Sequence, residues 1–287
     1  MNLKEVKQRI QSVKTTQKIT SAMKLVSAAK LRRAQSAIEG MRPYQQKLFE
    51  ILSAFLHSTS SISTPYTCVR QVKRVAVIVV SSSSSLCGAF NANIIRRAKE
   101  LVDSYATEGV AVELFPVGKK IYDAVKKMSI VPNDALMSQA EKISYAPVAA
   151  VATDLMERFA NGTYDKIEIL YNRFFSAAKQ APVNELLLPI DIDAMATNSK
   201  QSAIEYIVEP GRHELTNRLL PQVITLNLFT ALLDSVAAEH AARMMAMQIA
   251  TDNADDLIAE LVLEYNKGRQ QAITNELLDI VSGSMNQ

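Results

Sequence analysis

Residues 3–34 read LKEVKQRIQSVKTTQKITSAMKLVSAAKLRRA, a stretch with neither Gly nor Pro. Leu3, Val6, Ile10 and Val13 recur at 3-4-3 spacing. The apolar period then shifts and resumes at Ile19, Ala22, Met23, Val26 and Ala29. A 3-4 alternation is the coiled-coil period, and a shift of this kind reads as a stutter. The far end of the chain has the same signature: Met247, Ala250, Ala254, Leu257 and Leu261, continuing through Tyr265, Ile273, Leu277 and Ile280. Breakers sit elsewhere. Of 8 Gly and 9 Pro, 13 lie between Pro65 and Pro221. Helix interiors exclude Pro at about 3 kcal/mol and Gly at about 1 kcal/mol. Each end of the chain therefore reads as one long helix, 1–64 and 222–287, around a different kind of segment, 65–221. Gly40 and Pro43 interrupt the first helix, and Pro43 should bend it. At 1.5 Å per residue, some 58 residues make a rod of roughly 85 Å.

Charge divides in the same places. Residues 1–47 hold 11 Lys/Arg against 2 Asp/Glu, and residues 222–287 hold 3 against 9. A basic and an acidic helix with matching seams, one opening and one closing the chain, should pair antiparallel. Exposed ion pairs contribute at most about 1 kcal/mol each, so the charges set partner and register more than stability.

The middle alternates differently. Strands are expected at Arg74–Ser81, Val110–Val117, Lys166–Phe175, Val183–Ile190 and Ser202–Val208. Helices are expected at Leu86–Thr107, Lys119–Lys127 and Val148–Ala160, and loops near 130–146 and 191–201. Strand–helix alternation predicts an α/β unit with a mostly parallel sheet. The fold class is thus an α/β globular domain inserted between two long terminal helices that form an antiparallel coiled coil.

Chemistry is sparse. With 48% hydrophobic residues the 287-residue chain has ample material for a core. Cys68 and Cys87 have no CxxC partners, so neither a disulfide scaffold nor a zinc ribbon fits. No apolar run approaches the ~18 residues of a membrane span. GxGxxG and GxxxxGK[ST] are both missing: Gly118-Lys119-Lys120 lacks the upstream Gly, since Glu stands at 113. His57, His213 and His240 are scattered and supply no metal set. No catalytic constellation, cofactor site or metal site is expected. Two other readings stay open. The Lys and Arg of the first helix could bind nucleic acid, although they run round the helix rather than along one stripe. The run Ser81–Ser85, between a strand and a helix, could offer hydroxyls and amides to an anion, making a cryptic α/β enzyme.

Three quoted stretches carry a resemblance. Residues 3–34, the closing stretch 239–283 with ITNELLDIVSG at 273–283, and Leu86-Cys87-Gly88 followed by Asn91 resemble the gamma subunit of F-type (proton-translocating) ATP synthase from end to end. Three departures are visible. Ser83, Ser84 and Ser85 stand where that family carries an acidic residue, a basic residue and a Gly. Ser284 replaces the preferred Ala. The redox-regulated insert of the chloroplast version is missing.

The resemblance implies a non-catalytic rotor shaft, without cofactors. Its implied partners are the alpha and beta subunits of the catalytic ring, the epsilon subunit and the c ring, with no nucleic acid. It implies a peripheral place on the cytoplasmic face of a bacterial cell membrane. Residue by residue, it implies that Met23, Lys24, Arg269, Gln270, Thr274 and Glu276 touch the catalytic ring, and that Tyr206 and Glu209 touch the c ring.

Overall fold

The structure, a computed structural model, describes residues 3–57, 64–128, 130–140, 143–190 and 211–284. The expected strand Ser202–Val208, the expected loop at 191–201, and both Tyr206 and Glu209 lie outside the described residues. The elements in chain order are α1 (Leu3–His57), β1 (Arg74–Val80), α2 (Phe90–Thr107), β2 (Ala111–Val117), α3 (Lys119–Lys127), α4 (Tyr145–Ala160), β3 (Lys166–Phe174), β4 (Gln180–Leu188) and α5 (Arg212–Ser284). Short 3₁₀ turns occupy Pro65–Thr67 and Met137–Ala140. By packing, the chain falls into two compact units: residues 1–28 with 243–287, and residues 29–242. Both divisions fall inside α1 and α5 rather than at their ends, because the halves of those helices nearest the sheet belong to its core.

In the larger unit the sheet order is β2-β1-β3-β4. β1 pairs parallel with β2 and with β3, while β3 and β4 pair antiparallel, as the mostly parallel expectation requires. The Val75–Val80 run of β1 is apolar throughout because both its faces are covered. Val75, Val77 and Val79 pack with Ile94 and Ala98 of α2 and Ile121 and Val125 of α3. Ala76, Ile78 and Val80 share the larger cluster with Val148, Leu155 and Phe159 of α4, Leu48 and Leu52 of α1, and Leu220, Leu228 and Leu232 of α5. The inner parts of the terminal helices are thus one layer of a three-layer α/β domain.

Several boundaries differ from expectation for reasons that can be named. α2 starts at Phe90, not Leu86, because Leu86 (φ 66°) and Gly88 (φ 58°) take left-handed conformations that no α-helix accepts. α4 starts at Tyr145, which places Pro147 in the first turn, where its missing N–H costs nothing. β4 begins at Gln180 and includes Pro182, tolerated because β4 is an edge of the described sheet. α5 starts ten residues before the expected 222 and runs through Pro221. Leu220, Val223 and Ile224 around that proline are buried in the core, and their packing offsets the lost backbone bond.

Asp234 joins α5 to the sheet. Its carboxylate accepts the backbone N–H of Phe174 at 3.2 Å. Burial pushes its pKa above the usual carboxylate range, even though the Phe174 bond and the Arg173 charge pull it down. A raised folded-state pKa means that this group's contribution to stability falls as pH rises through that value. Asp234→Asn keeps an acceptor for Phe174 and removes the buried charge, so thermal melts at neutral pH should show no loss. Asp234→Ala leaves the N–H unbonded and should cost about 1–3 kcal/mol. Equal losses in the two variants would contradict this assignment.

Candidate functional site

The smaller unit is a pair of antiparallel helix segments, and its seam runs where hydrophobicity alone did not put it. On α1 the residues turned inward are Leu3, Val6, Ile10, Val13, Gln17, Thr20, Lys24 and Ser27, an unbroken 3-4 alternation. The expected stutter is absent. Ile19, Ala22, Val26 and Ala29, expected to resume the seam, are exposed, Ile19 and Val26 by more than half. Four polar residues occupy consecutive seam positions instead. The partners of the first three lie directly across. Gln17 donates to Asp255 Oδ1 at 2.9 Å, the hydroxyls of Thr20 and Thr251 meet at 2.9 Å, and Lys24 Nζ donates to Gln248 Oε1 at 2.6 Å. Gln248 is itself oriented by donating to Asp252 at 2.7 Å. Ser27 donates back to the Met23 carbonyl at 2.8 Å. Each pair of numbers adds to nearly the same value, which defines a single antiparallel register.

At the outer end of the pair, Leu3 lies against Gly268; a Cβ there would come within 3.3 Å of Leu3 Cδ2. Beyond that point every residue from Arg269 to Val281 is exposed. This stretch carries Ile273, Leu277, Leu278, Ile280 and Val281, each about half exposed or more. So much apolar surface on one terminal helix is the mark of a protein-contact region.

The residues singled out by sequence fall into two groups, about 30 Å apart along α5 at 1.5 Å per residue. Arg269, Gln270, Thr274 and Glu276 are all on the exposed terminal turns, and Thr274 Oγ1 donates to the Gln270 carbonyl at 2.9 Å. Met23 and Lys24 are half-buried at the polar part of the seam, Lys24 turned toward Gln248. Sequence reasoning missed the outward apolar residues of the smaller unit: Ile19, Leu25 and Val26 on α1, and Ile249 and Leu263 on α5. The signal was available. Continuing the 3-4 count from Val13 through Gln17 and Thr20, regardless of polarity, leaves those side chains on the opposite face.

The first two residues of the Ser81–Ser85 run are closed into the fold, while Ser84 and Ser85 are exposed. Ser81 Oγ accepts the Ile121 N–H at 2.9 Å, and Asn91 Oδ1 accepts the Ser82 N–H at 3.1 Å. Asn91 Nδ2 reaches Ser82 Oγ at 2.8 Å and Cys87 Sγ at 3.1 Å. Ser81 and Ser82 are buried and satisfied from within, so their hydroxyls hold the turn. Among the described residues no group of His, Cys, Asp and Glu is arranged to hold a metal ion.

In chain order, a long helix, an α/β domain and a second long helix whose last described turns are exposed are the elements of a central-stalk subunit. The model of the ATP synthase family matches residues 2–285. The chain belongs to the ATP synthase gamma chain family. The ATP synthase gamma chain of Phocaeicola vulgatus is 52% identical over 286 residues, covering 99% of each chain. Among solved structures, a chain of the Tetrahymena thermophila mitochondrial ATP synthase central stalk and c ring aligns with a TM-score of 0.56 and 27% identity, over 81% of this chain and 99% of that one. A chain of the Euglena gracilis mitochondrial ATP synthase aligns at a TM-score of 0.62 over 99% of this chain and 93% of that one; at 21% identity it supports the fold.

Proposed function

We propose that this chain is the central rotor shaft of a bacterial F-type ATP synthase, carrying rotation of a membrane c ring to the nucleotide sites of an alpha/beta ring. The chain itself performs no chemistry. Its α/β domain sits with the epsilon subunit on the polar loops of the c ring, and the complex lies peripherally on the cytoplasmic face of the membrane.

The observation that carries this reading is the end of α5, where residues 269–281 stand exposed with five large apolar side chains among polar ones. Such a surface needs a partner, and a ring of subunits closing round a single helix end supplies one on every side. Energetics favours mechanical coupling. One proton crossing 100 mV yields only about 2.3 kcal/mol, so several translocation steps must be added before one ATP can be released. A stiff asymmetric rod sums them, because each of its orientations favours a different conformation of each catalytic site. Arg269 offers a planar fork of donors to ring carbonyls or carboxylates, and Gln270, Thr274 and Glu276 add shorter polar groups. Met23 and the outward face formed by Ile19, Leu25 and Val26 are a second contact region further along the helix pair. Tyr206 and Glu209 belong to the c-ring contact.

Introducing charge on that second face tests the reading. Ile19→Asp with Val26→Asp puts no charge into the seam, so the purified chain should keep its helix content and melting temperature. Co-purification with alpha and beta subunits should fall at least about ten-fold, matching the loss of two buried apolar contacts. Assembly at the parental level, one copy per ring, would remove this face from the proposal.

A further inference from the structure

The stretch 17–27 of α1 is inside out. Its polar residues face the partner helix and its aliphatic residues face away. The side-chain bonds between the two helices there are the pairs Gln17–Asp255, Thr20–Thr251 and Lys24–Gln248, with Met247 and Ala254 of α5 buried beside them. Toward the chain end, by contrast, the seam is aliphatic: Val6 and Val13 on α1, Leu257 and Leu261 on α5. Burying aliphatic surface holds a seam together over any small displacement, whereas a side-chain hydrogen bond is nearly replaced by one to water when the helices part. Water can enter a seam lined by amide, hydroxyl and ammonium groups without leaving any of them unsatisfied. Gln248 also donates to Asp252 one turn further along α5, so a small rotation of the helices leaves it a partner within its own helix.

We propose that residues 17–27 of α1 and 248–255 of α5 form a soft joint, the section at which the helix pair opens and twists most readily. Its service as the yielding section of a rotating shaft rests on the rotor reading; the opening itself does not.

Hydrogen exchange on the full-length chain, read by mass spectrometry, tests the joint. Thr20→Cys with Thr251→Cys places two thiols where hydroxyl oxygens lie 2.9 Å apart, and oxidation should lock the section. Amides of residues 17–27 should then exchange at least about ten-fold more slowly, and reductant should restore the parental rate. A second variant, Gln17→Leu, Lys24→Leu, Gln248→Leu and Asp255→Leu, should slow the same amides without a disulfide. A control change in the aliphatic seam, Val13→Leu, should leave them as they were. Exchange unaltered by locking and by the leucine variant would overturn the proposal, as would equal slowing by the control. In the assembled complex, oxidation should narrow the thermal angular fluctuation of the chain, and an unchanged width would overturn the joint's role as the yielding section. A chain that slows on locking yet never joins an alpha/beta ring would overturn the rotor reading and leave the joint standing.

Discussion

Arg269→Ala combined with Gln270→Ala is expected to lower ATP synthesis by reconstituted vesicles at least about ten-fold while leaving the purified chain folded. Both side chains are exposed on the turns of α5 that follow Gly268, the residue against which Leu3 lies. Neither contributes packing within the chain, so its melting temperature and helix content should not move. In the proposed complex they are the donors nearest the start of the free helix end. Hydrogen bonds to charged partners are worth about 1.5–3 kcal/mol each, and losing about 1.4 kcal/mol from the coupled step is already a factor of ten. Lys should not replace Arg269 fully, since an ammonium cannot bridge two acceptors in a plane. A parental synthesis rate in the double variant would remove both residues from the contact set.

Gly118→Ala should do the opposite, destabilising the α/β domain itself. Gly118 joins β2 to α3 at φ 94°, a left-handed conformation that favours glycine. An added Cβ would lie 2.4 Å from the carbonyl oxygen of Ser81 and 3.1 Å from the Ala140 Cβ. The first obstacle is backbone, fixed by the Ser81 N–H donating to the Val117 carbonyl at 2.8 Å. Strain and clash together should cost on the order of 4 kcal/mol, a large part of a domain's stability. Denaturant titration followed by circular dichroism should show the midpoint falling with the slope unchanged. A midpoint within experimental error of the parent would mean that the turn can rearrange.

These two outcomes mark where the sequence was legible. Packing inside the domain was plain: the Val-rich run 74–80 and the Ile and Ala spacing of α2 name their own partners, and the core contains them. Boundaries failed where backbone conformation overrode composition, at the left-handed Leu86 and Gly88 and at Pro147 in the first turn of α4. The seam of the terminal helices failed for another reason. Reading a coiled coil by hydrophobicity assumes that apolar residues face each other. From Gln17 to Lys24 the hydrogen-bonding residues of the seam reach across to α5, and Ile19, Leu25 and Val26 face outward, as the proposed external partner would require. The same logic kept the proposed contact residues hidden from composition. Arg269 and Gln270 are ordinary exposed polar side chains, and only their place beyond Leu3 sets them apart.

The central claim is rotation of this chain inside a ring that turns over ATP. Cys68 is exposed and Cys87 buried, so a single fluorophore or bead can be attached at Cys68 with the assembled alpha/beta ring fixed to a surface. Polarisation or bead tracking during ATP hydrolysis should show steps in one direction that recur three times per turn. Steady hydrolysis with the probe at a fixed angle, or jittering without net direction, would contradict the account.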